Sequence, residues 1–283
     1  MADLIHGNTQ LSATKQDLIA AAVQKELAFN AMLAPLMTDV SQFAVKGAKS
    51  ISFPKLGSFT ASNRASGAQG DASVLVSTAD KLDLDYNAYL AWIVDSSDEV
   101  QSTLNWQLEL ALRAAAAHGR YFDTQAIAKL EAHGNVGTAS TGAITRDIIL
   151  DMREELLSRH ADKNALALVV GVDSEKAMLK IDEFTRAEVY GSSVIPNGMI
   201  GKVYGVPVYI HTGVGAQTYY MFEKSGIAYG FQKAPAISEQ GANEFGTGAK
   251  RVAMDQLFGI KGMQLGVNGV GATESALIVK DNN

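Results

Sequence analysis

Cysteine is absent from the 283 residues. Its absence excludes disulfides, thiolate metal sites and cysteine nucleophiles, and suits a chain that folds in a reducing compartment. Long apolar runs are missing as well. The longest, residues 165–170 and 88–94, fall far short of the roughly 18 residues that a membrane-spanning helix needs. Basic residues are in the minority: 24 Lys and Arg against 30 Asp and Glu leave a formal net charge of −6. That balance argues against a protein whose main task is to grip nucleic-acid phosphates. No basic-then-apolar stretch opens the chain, where Asp3, His6 and Asn8 interrupt any signal-peptide pattern. Apolar residues make up 47% and charged residues 19%, enough to build a core and too apolar for disorder. Composition therefore points to a soluble intracellular protein of one large domain or two modest ones.

Hydrophobic spacing supplies the elements. Thr14 with Asp17 forms a weak capping box. Leu18, Ile19, Ala22, Val23, Leu27 and Leu33 then follow at helical spacing until Pro35. Residues 49–56 alternate as a strand, with Ile51 and Phe53 on one side. Residues 57–73 are rich in Gly, Ser and Ala, with Phe59 the only large apolar residue among them. A second strand is expected over 81–94. Leu82, Leu84, Tyr86, Ala88, Leu90, Trp92 and Val94 share one face; Lys81, Asp83, Asp85 and Asn87 share the other. Fully extended it would reach about 45 Å, roughly twice an ordinary strand. The pattern is that of a long projecting hairpin, whose half-apolar stem calls for a partner.

A helix of about 50 Å is expected next, from Asp95 to Ala132, with a possible kink at Gly119. Residues 134–142 form a Gly, Thr and Ser-rich break. Beyond it the pattern is α+β. Thr145 caps a helix that turns Ile148, Ile149, Met152 and Leu156 inward, and 165–170 reads as a buried strand. Asp173 opens a short helix through Met178 and Leu179. Residues 195–198 form a turn, and strands are expected over 203–210, 218–222, 227–232, 252–265 and 276–280. Glycine-rich loops fill 241–248 and 266–271.

Chemistry-bearing sets are sparse. His6, His118, His133, His160 and His211 share no metal-ligand spacing and read as surface or helix-end residues. Asp147, Asp151 and Glu154 fall on one helical face, where carboxylates could hold a hard cation. The apolar stripe lies opposite, which makes a solvated face the better reading. The loop at Gly241 and Gly246 has Thr247 where a phosphate-binding loop needs lysine, and the glycines of 266–271 lack a dinucleotide-binding register. No GxSxG elbow occurs. No catalytic set, cofactor site or metal site emerges.

The order of parts resembles a tailed-bacteriophage major capsid protein with the Hong Kong 97-like fold. The sharpest likeness is Gly198, Ile200, Gly201, Gly205 and Val208, in the order G-x-I-G-x-x-x-G-x-x-V, after the buried strand 165–170. The strand pair over 228–240, with Lys233 and Pro235, and the helix segment 112–123, ending in Arg120, Tyr121, Phe122 and Asp123, are similar too. The resemblance implies an α+β chain divided into an N-terminal arm (1–46), an extended hairpin loop with its strand base (47–94), the spine helix of a peripheral domain (95–142), an axial domain (143–240) and returning peripheral strands (241–283).

It also implies a non-enzymatic subunit that assembles through pentamers and hexamers into an icosahedral head in the virion, built in the host cytoplasm. The head would enclose double-stranded DNA without sequence-specific binding and without a membrane. Phe59, Arg64, Asp71, Lys81, Asp83 and Asp85 on the hairpin would be inter-subunit contacts. A separate scaffolding protein is expected, because the hairpin begins by residue 50, together with portal and decoration proteins. A lysine–asparagine crosslink would draw on Lys49 or Lys55 and Asn243 or Asn268, though nothing singles out a pair. Two other readings stay open: a shell subunit of a bacterial cargo-enclosing compartment of the encapsulin type, and an α+β enzyme using Asp147, Asp151 and Glu154.

Overall fold

A computed structural model describes residues 31–56, 63, 66, 77–94, 106–132, 143–178, 180, 199–241, 249–263 and 277–282. Up to residue 30 the expected helix after Thr14 lies outside these residues, and its expected last turn is corrected: 31–33 are not helical and a short 3-10 turn, Ala34–Leu36, follows. The hairpin tip with Phe59, Arg64 and Asp71, the turn at 195–198 and the glycine-rich loops over 242–248 and 266–271 lie outside these residues.

Two sheets share one long helix. The first is five-stranded, in the order β11 (Ile278–Asn282), β8 (Thr218–Glu223), β5 (Leu166–Gly171), β7 (Val206–His211), β6 (Met199–Val203). Central β5 runs parallel to β7 and antiparallel to β8, and all six of its residues are buried. Both faces of the sheet are covered, which is why this strand reads as an unbroken apolar run. On one face lies α2 (Arg146–Ser158), which inserts Ile148, Ile149, Met152 and Leu156 against Leu166, Leu168 and Val170. Its N-terminus is capped as the sequence predicts, with Thr145 Oγ1 accepting from Ile148 N–H at 3.4 Å. The other face presents Val169, Tyr220, Phe222 and Ile278 to the C-terminal half of α1 (Trp106–Glu131), through Phe122, Ala126, Ile127 and Leu130.

The N-terminal half of α1 packs on a second, four-stranded sheet. Its order is β1 (Thr38–Asp39), β9 (Ile227–Gly241), β10 (Lys250–Gly262), β4 (Tyr86–Val94). Ala111, Ala114 and Ala115 meet Met254, flanked by Trp92 and Ile237. The helix has 26 residues, about 39 Å at 1.5 Å per residue, and runs through Gly119 without a break. Where it meets both sheets, Phe122 stacks with Phe231 at 5.6 Å and lies 5.3 Å from both Tyr229 and Phe258.

Several expectations are corrected. The strand over 81–94 is two strands, β3 (Ser77–Asp83) and β4, parted at Leu84 and Asp85. β3 pairs with β2 (Ser50–Leu56) in a separate two-stranded sheet, whereas β4 pairs with β10. Unbroken alternation conceals this change of sheet. The strand over 203–210 is a hairpin instead: Tyr204 and Gly205 both take positive φ, +49° and +83°, as a two-residue turn with right-handed twist demands. β9 extends to Gly241 and lies beside β10, not in the sheet of β5, while β11 joins β8 in the five-stranded sheet. Pairing of β9 with β10 slips between Asp255 and Leu257, opposite Pro235, which has no N–H to give. A short α3 (Glu175–Met178) follows β5.

Candidate assembly surfaces

The hairpin stem is fastened to its own subunit at the root. Ile51 and Leu82 face each other across β2 and β3 and pack with Val40, Leu84, Ala228 and Met263. At its root the apolar side of this stem is thus covered from within the chain. Beneath it Gly259 of β10 lets Asp83 cross at van der Waals range. A Cβ there would sit 2.1 Å from the Asp83 carbonyl oxygen. Asp80, opposite Phe53 on the buried side, is neutralised by Lys261, whose Nζ also donates to the Lys81 carbonyl at 2.6 Å. Gln232 Nε2 closes the root by donating to the Val45 and Ala48 carbonyls, both at 2.8 Å.

Of the six predicted contact residues, Lys81, Asp83 and Asp85 are described, and all three are exposed on the polar side of the chain. Lys49 is exposed too. The side chain of Lys55, together with Asn243 and Asn268, lies outside the described residues. Asp147, Asp151 and Glu154 are exposed on α2, and no cluster of His, Asp or Glu suited to a metal ion occurs among the described residues. Nor is any described helix long and apolar enough to cross a membrane.

Sequence reasoning missed three features. The first is the outer face of β4, where Tyr89 (56% exposed) and Ile93 (44%) stand in solvent beside Ala91. With β10 this face forms rows pairing Tyr89 with Asp255, Ala91 with Ala253, and Ile93 with Arg251. Arg251 donates to the Tyr89 hydroxyl at 2.8 Å, and Lys233 pairs with Asp255. Phe43 and Val45, beside the hairpin root, are exposed as well. The apolar run at 88–94 was the available signal: both faces of the strand are apolar from Tyr89 onward.

The second is polar burial under the four-stranded sheet. His118 is not a surface residue. It is buried, and neither ring nitrogen makes a hydrogen bond of ordinary geometry, although the Met254 backbone lies near enough to favour the charged ring; the Gln256 amide and Trp92 Nε1 are likewise without such bonds. Burial lowers the pKa of His118 below its ordinary value, offset in part by the Met254 backbone and the Asp255 carboxylate. The third is Asp123, buried on α1, which meets His211 from β7 and the backbone at Met32 and Leu33. No local pattern links residues so far apart in the chain.

Comparison with known proteins decides the family. A family model described as phage capsid protein matches residues 35–244. The chain belongs to the phage capsid protein family. It is a structural capsid subunit that self-assembles into a shell, and its place is the virion capsid. Solved structures share the fold across nearly the whole chain. One from Mycobacterium phage Che8 is 19% identical, with a TM-score of 0.67, over 88% of this chain and 89% of that one. The mature capsid of bacteriophage PhiM1 is 14% identical, with a TM-score of 0.64, over 89% and 86%. A virus-like particle from Pyrococcus furiosus is 11% identical, with a TM-score of 0.61, over 94% and 98%. These neighbours establish the Hong Kong 97-like fold. No curated protein matches the chain.

Proposed function

We propose that this capsid subunit has no catalytic role and builds an icosahedral phage head from pentamers and hexamers, assembled in the host cytoplasm around double-stranded DNA that it encloses without sequence-specific contact. The observation that carries this reading is the phage capsid match over 35–244. The exposed apolar residues beside the hairpin and on β4 support it. Such residues collect where a folded chain is to be covered by another, and head-to-tail contact between unlike patches closes into rings and larger assemblies. A net charge of −6 suits a wall that holds DNA without adhering to it.

The same reading divides the chain into arm (1–46), hairpin (47–94), spine helix (95–142), axial domain (143–240) and returning strands (241–283), amended by the sheet membership of β9 and β11. It places Phe59, Arg64, Asp71, Lys81, Asp83 and Asp85 against neighbouring subunits. Scaffolding, portal and decoration proteins are the further partners the resemblance implies. A cargo-enclosing compartment shell is the second, less supported reading; a shell outside the phage heads, the virus-like particle from Pyrococcus furiosus, shares the fold.

Sedimentation velocity with electron microscopy of the fast-sedimenting fractions tests the proposal. Pentamers, hexamers, tubes or closed shells are expected. A monomer or dimer that persists at high concentration and under crowding overturns it. Empty shells that load a cargo protein and no DNA in the producing cell favour the compartment.

A further inference from the structure

Asp123 sits on α1 where the two sheets meet, 1% exposed, and three donors from two distant stretches of chain converge on it. Met32 N–H reaches Oδ2 at 3.0 Å and Leu33 N–H reaches Oδ1 at 3.2 Å. From the opposite side His211, at the end of β7, reaches Oδ2 through Nε2 at 3.1 Å. The tautomer follows from the other ring nitrogen: Nδ1 accepts from Gly213 N–H at 2.9 Å, so the proton is on Nε2 and the ring donates it to Asp123. Gly213 is confined in turn, because a Cβ there would lie 3.0–3.1 Å from the His211 ring and from Ile127.

A buried carboxylate is costly unless donors replace its water, and here three do. The residues that follow Leu33 are fixed too. Leu33 and Met37 are fully buried, Val40 N–H donates to the Tyr229 carbonyl at 2.8 Å, and Thr38 Oγ1 donates to the Lys224 carbonyl at 2.9 Å. Neighbouring backbone bonds of that kind would hold the segment to β9 in any case. Ala31, Leu33 and Met37 also pack in one apolar cluster with Phe122, Ala126, Ile127 and Leu130 of α1 and with Val169, Tyr220 and Phe222 of the five-stranded sheet. The Asp123 hydrogen bonds add the directional tie, from the backbone at Met32 and Leu33 to α1 and, through His211, to β7.

We infer that Asp123 is a positioning residue for assembly: it fixes the backbone at Met32 and Leu33 on α1 and couples it to the five-stranded sheet through His211. The inference rests on the proposed reading of 1–46 as the N-terminal arm of an assembling capsid subunit. On that reading, a displacement that reaches Met32 and Leu33 passes through the shared carboxylate to β7.

The test compares Asp123→Asn and His211→Phe with the parent chain, first as unassembled subunits by site-resolved hydrogen exchange, then in assembly. Asn keeps the shape but can accept through one atom only. Phe keeps the ring but removes the donor, and it carries the test if Asp123→Asn does not fold. Exchange at Met32 and Leu33 is expected to quicken at least tenfold in Asp123→Asn, and more modestly in His211→Phe. Shells are expected to become heterogeneous in size or to fail, with His211→Gln, which restores an N–H donor, returning both readouts toward the parent. Unchanged exchange at Met32 and Leu33 overturns the anchor. Quickened exchange with shells of parental size and yield overturns its role in assembly. Because exchange is read on the isolated subunit, and the parent chain's own assembly is scored separately, failure of the anchor is distinguishable from failure of the capsid reading.

Discussion

The two sheets are built to different standards. The five-stranded sheet is covered on both faces: β5 is buried along its whole length, α2 and α1 cover opposite faces, and Leu168, Val170, Val208, Met221 and Val279 are fully buried. The four-stranded sheet is covered by α1 on one side, and on the other by the hairpin root over Ala228, Gly230 and Gly259 while the β4 edge stays open. Among the described residues, beneath it lie five unpartnered polar atoms, on His118, Gln256 and Trp92, against two beside the five-stranded sheet, on Tyr219 and Arg153, and on its outer side Tyr89 and Ile93 meet solvent. A buried polar group without a partner costs about 1–3 kcal/mol. One sheet is an autonomous core, while the other holds less stability within the subunit and leaves apolar surface for contacts between subunits. In a shell stabilised by many modest contacts, that second arrangement is an advantage, because the assembly completes what the monomer leaves open.

Substitution in the autonomous core gives the largest expected effect. Leu168→Ala removes a side chain that is 0% exposed and should cost about 3 kcal/mol, within the range of such truncations. Urea unfolding of the unassembled subunit measures it. A loss below about 1 kcal/mol would mean that the five-stranded sheet is as loosely packed as its neighbour, and the contrast would collapse.

Gly259→Ala comes next. The added Cβ would meet the Asp83 carbonyl oxygen at 2.1 Å and Leu82 at 2.7 Å, so the hairpin root must lift from β10. Overpacking of this kind costs roughly 1–3 kcal/mol. The distinguishing readout is limited proteolysis, with faster cleavage in the hairpin at unchanged protection of β5. Equal loosening of both regions would show that the root is not a separate unit.

Local periodicity made much of this legible, and its failures have a common cause. The buried run at 166–171, the Thr145 cap and the inward stripe of α2 are written in consecutive residues, so spacing alone finds them. The change of sheet at Leu84 and Asp85 leaves alternation intact and is invisible to it. Tyr204 at positive φ defies the usual preference for Gly or Asn in such a turn. Gly259 is needed only because another strand crosses it, and Asp123 matters only because residues some 90 positions away in either direction fold onto it. Each of these is a fact of tertiary contact, and no window of sequence contains it.

His118 sharpens the comparison through pH. Its pKa in the folded chain is lowered by burial, so the unfolded chain binds the proton more tightly. Stability is therefore full above the unfolded value near 6.5 and falls as pH drops from there toward the folded value, by at most about 1.4 kcal/mol per pH unit. His118→Leu removes this contribution and, by deleting two unpartnered nitrogens, should leave the subunit equally stable or about 1 kcal/mol more stable at neutral pH. Stability profiles of parent and variant between pH 5 and 8 test it. Parallel profiles would show that His118 takes up no proton differentially on unfolding.

The smallest expected change in subunit stability carries the most information about assembly. Ile93 is 44% exposed on the outer face of β4, beside Arg251. Replacing it with serine removes a side chain that is only partly covered, so unfolding should shift by about 1 kcal/mol or less. If the outer face of the four-stranded sheet is a contact between copies, Ile93→Ser should nonetheless raise the concentration at which shells form, since the same small loss recurs at every equivalent contact. Exposed Val172, beside the five-stranded sheet, is the control: Val172→Ser should leave both stability and assembly as they are. Equal assembly defects from the two substitutions would show that the sheets share the work of contact, and that exposed apolar residues alone do not mark which one faces a neighbour.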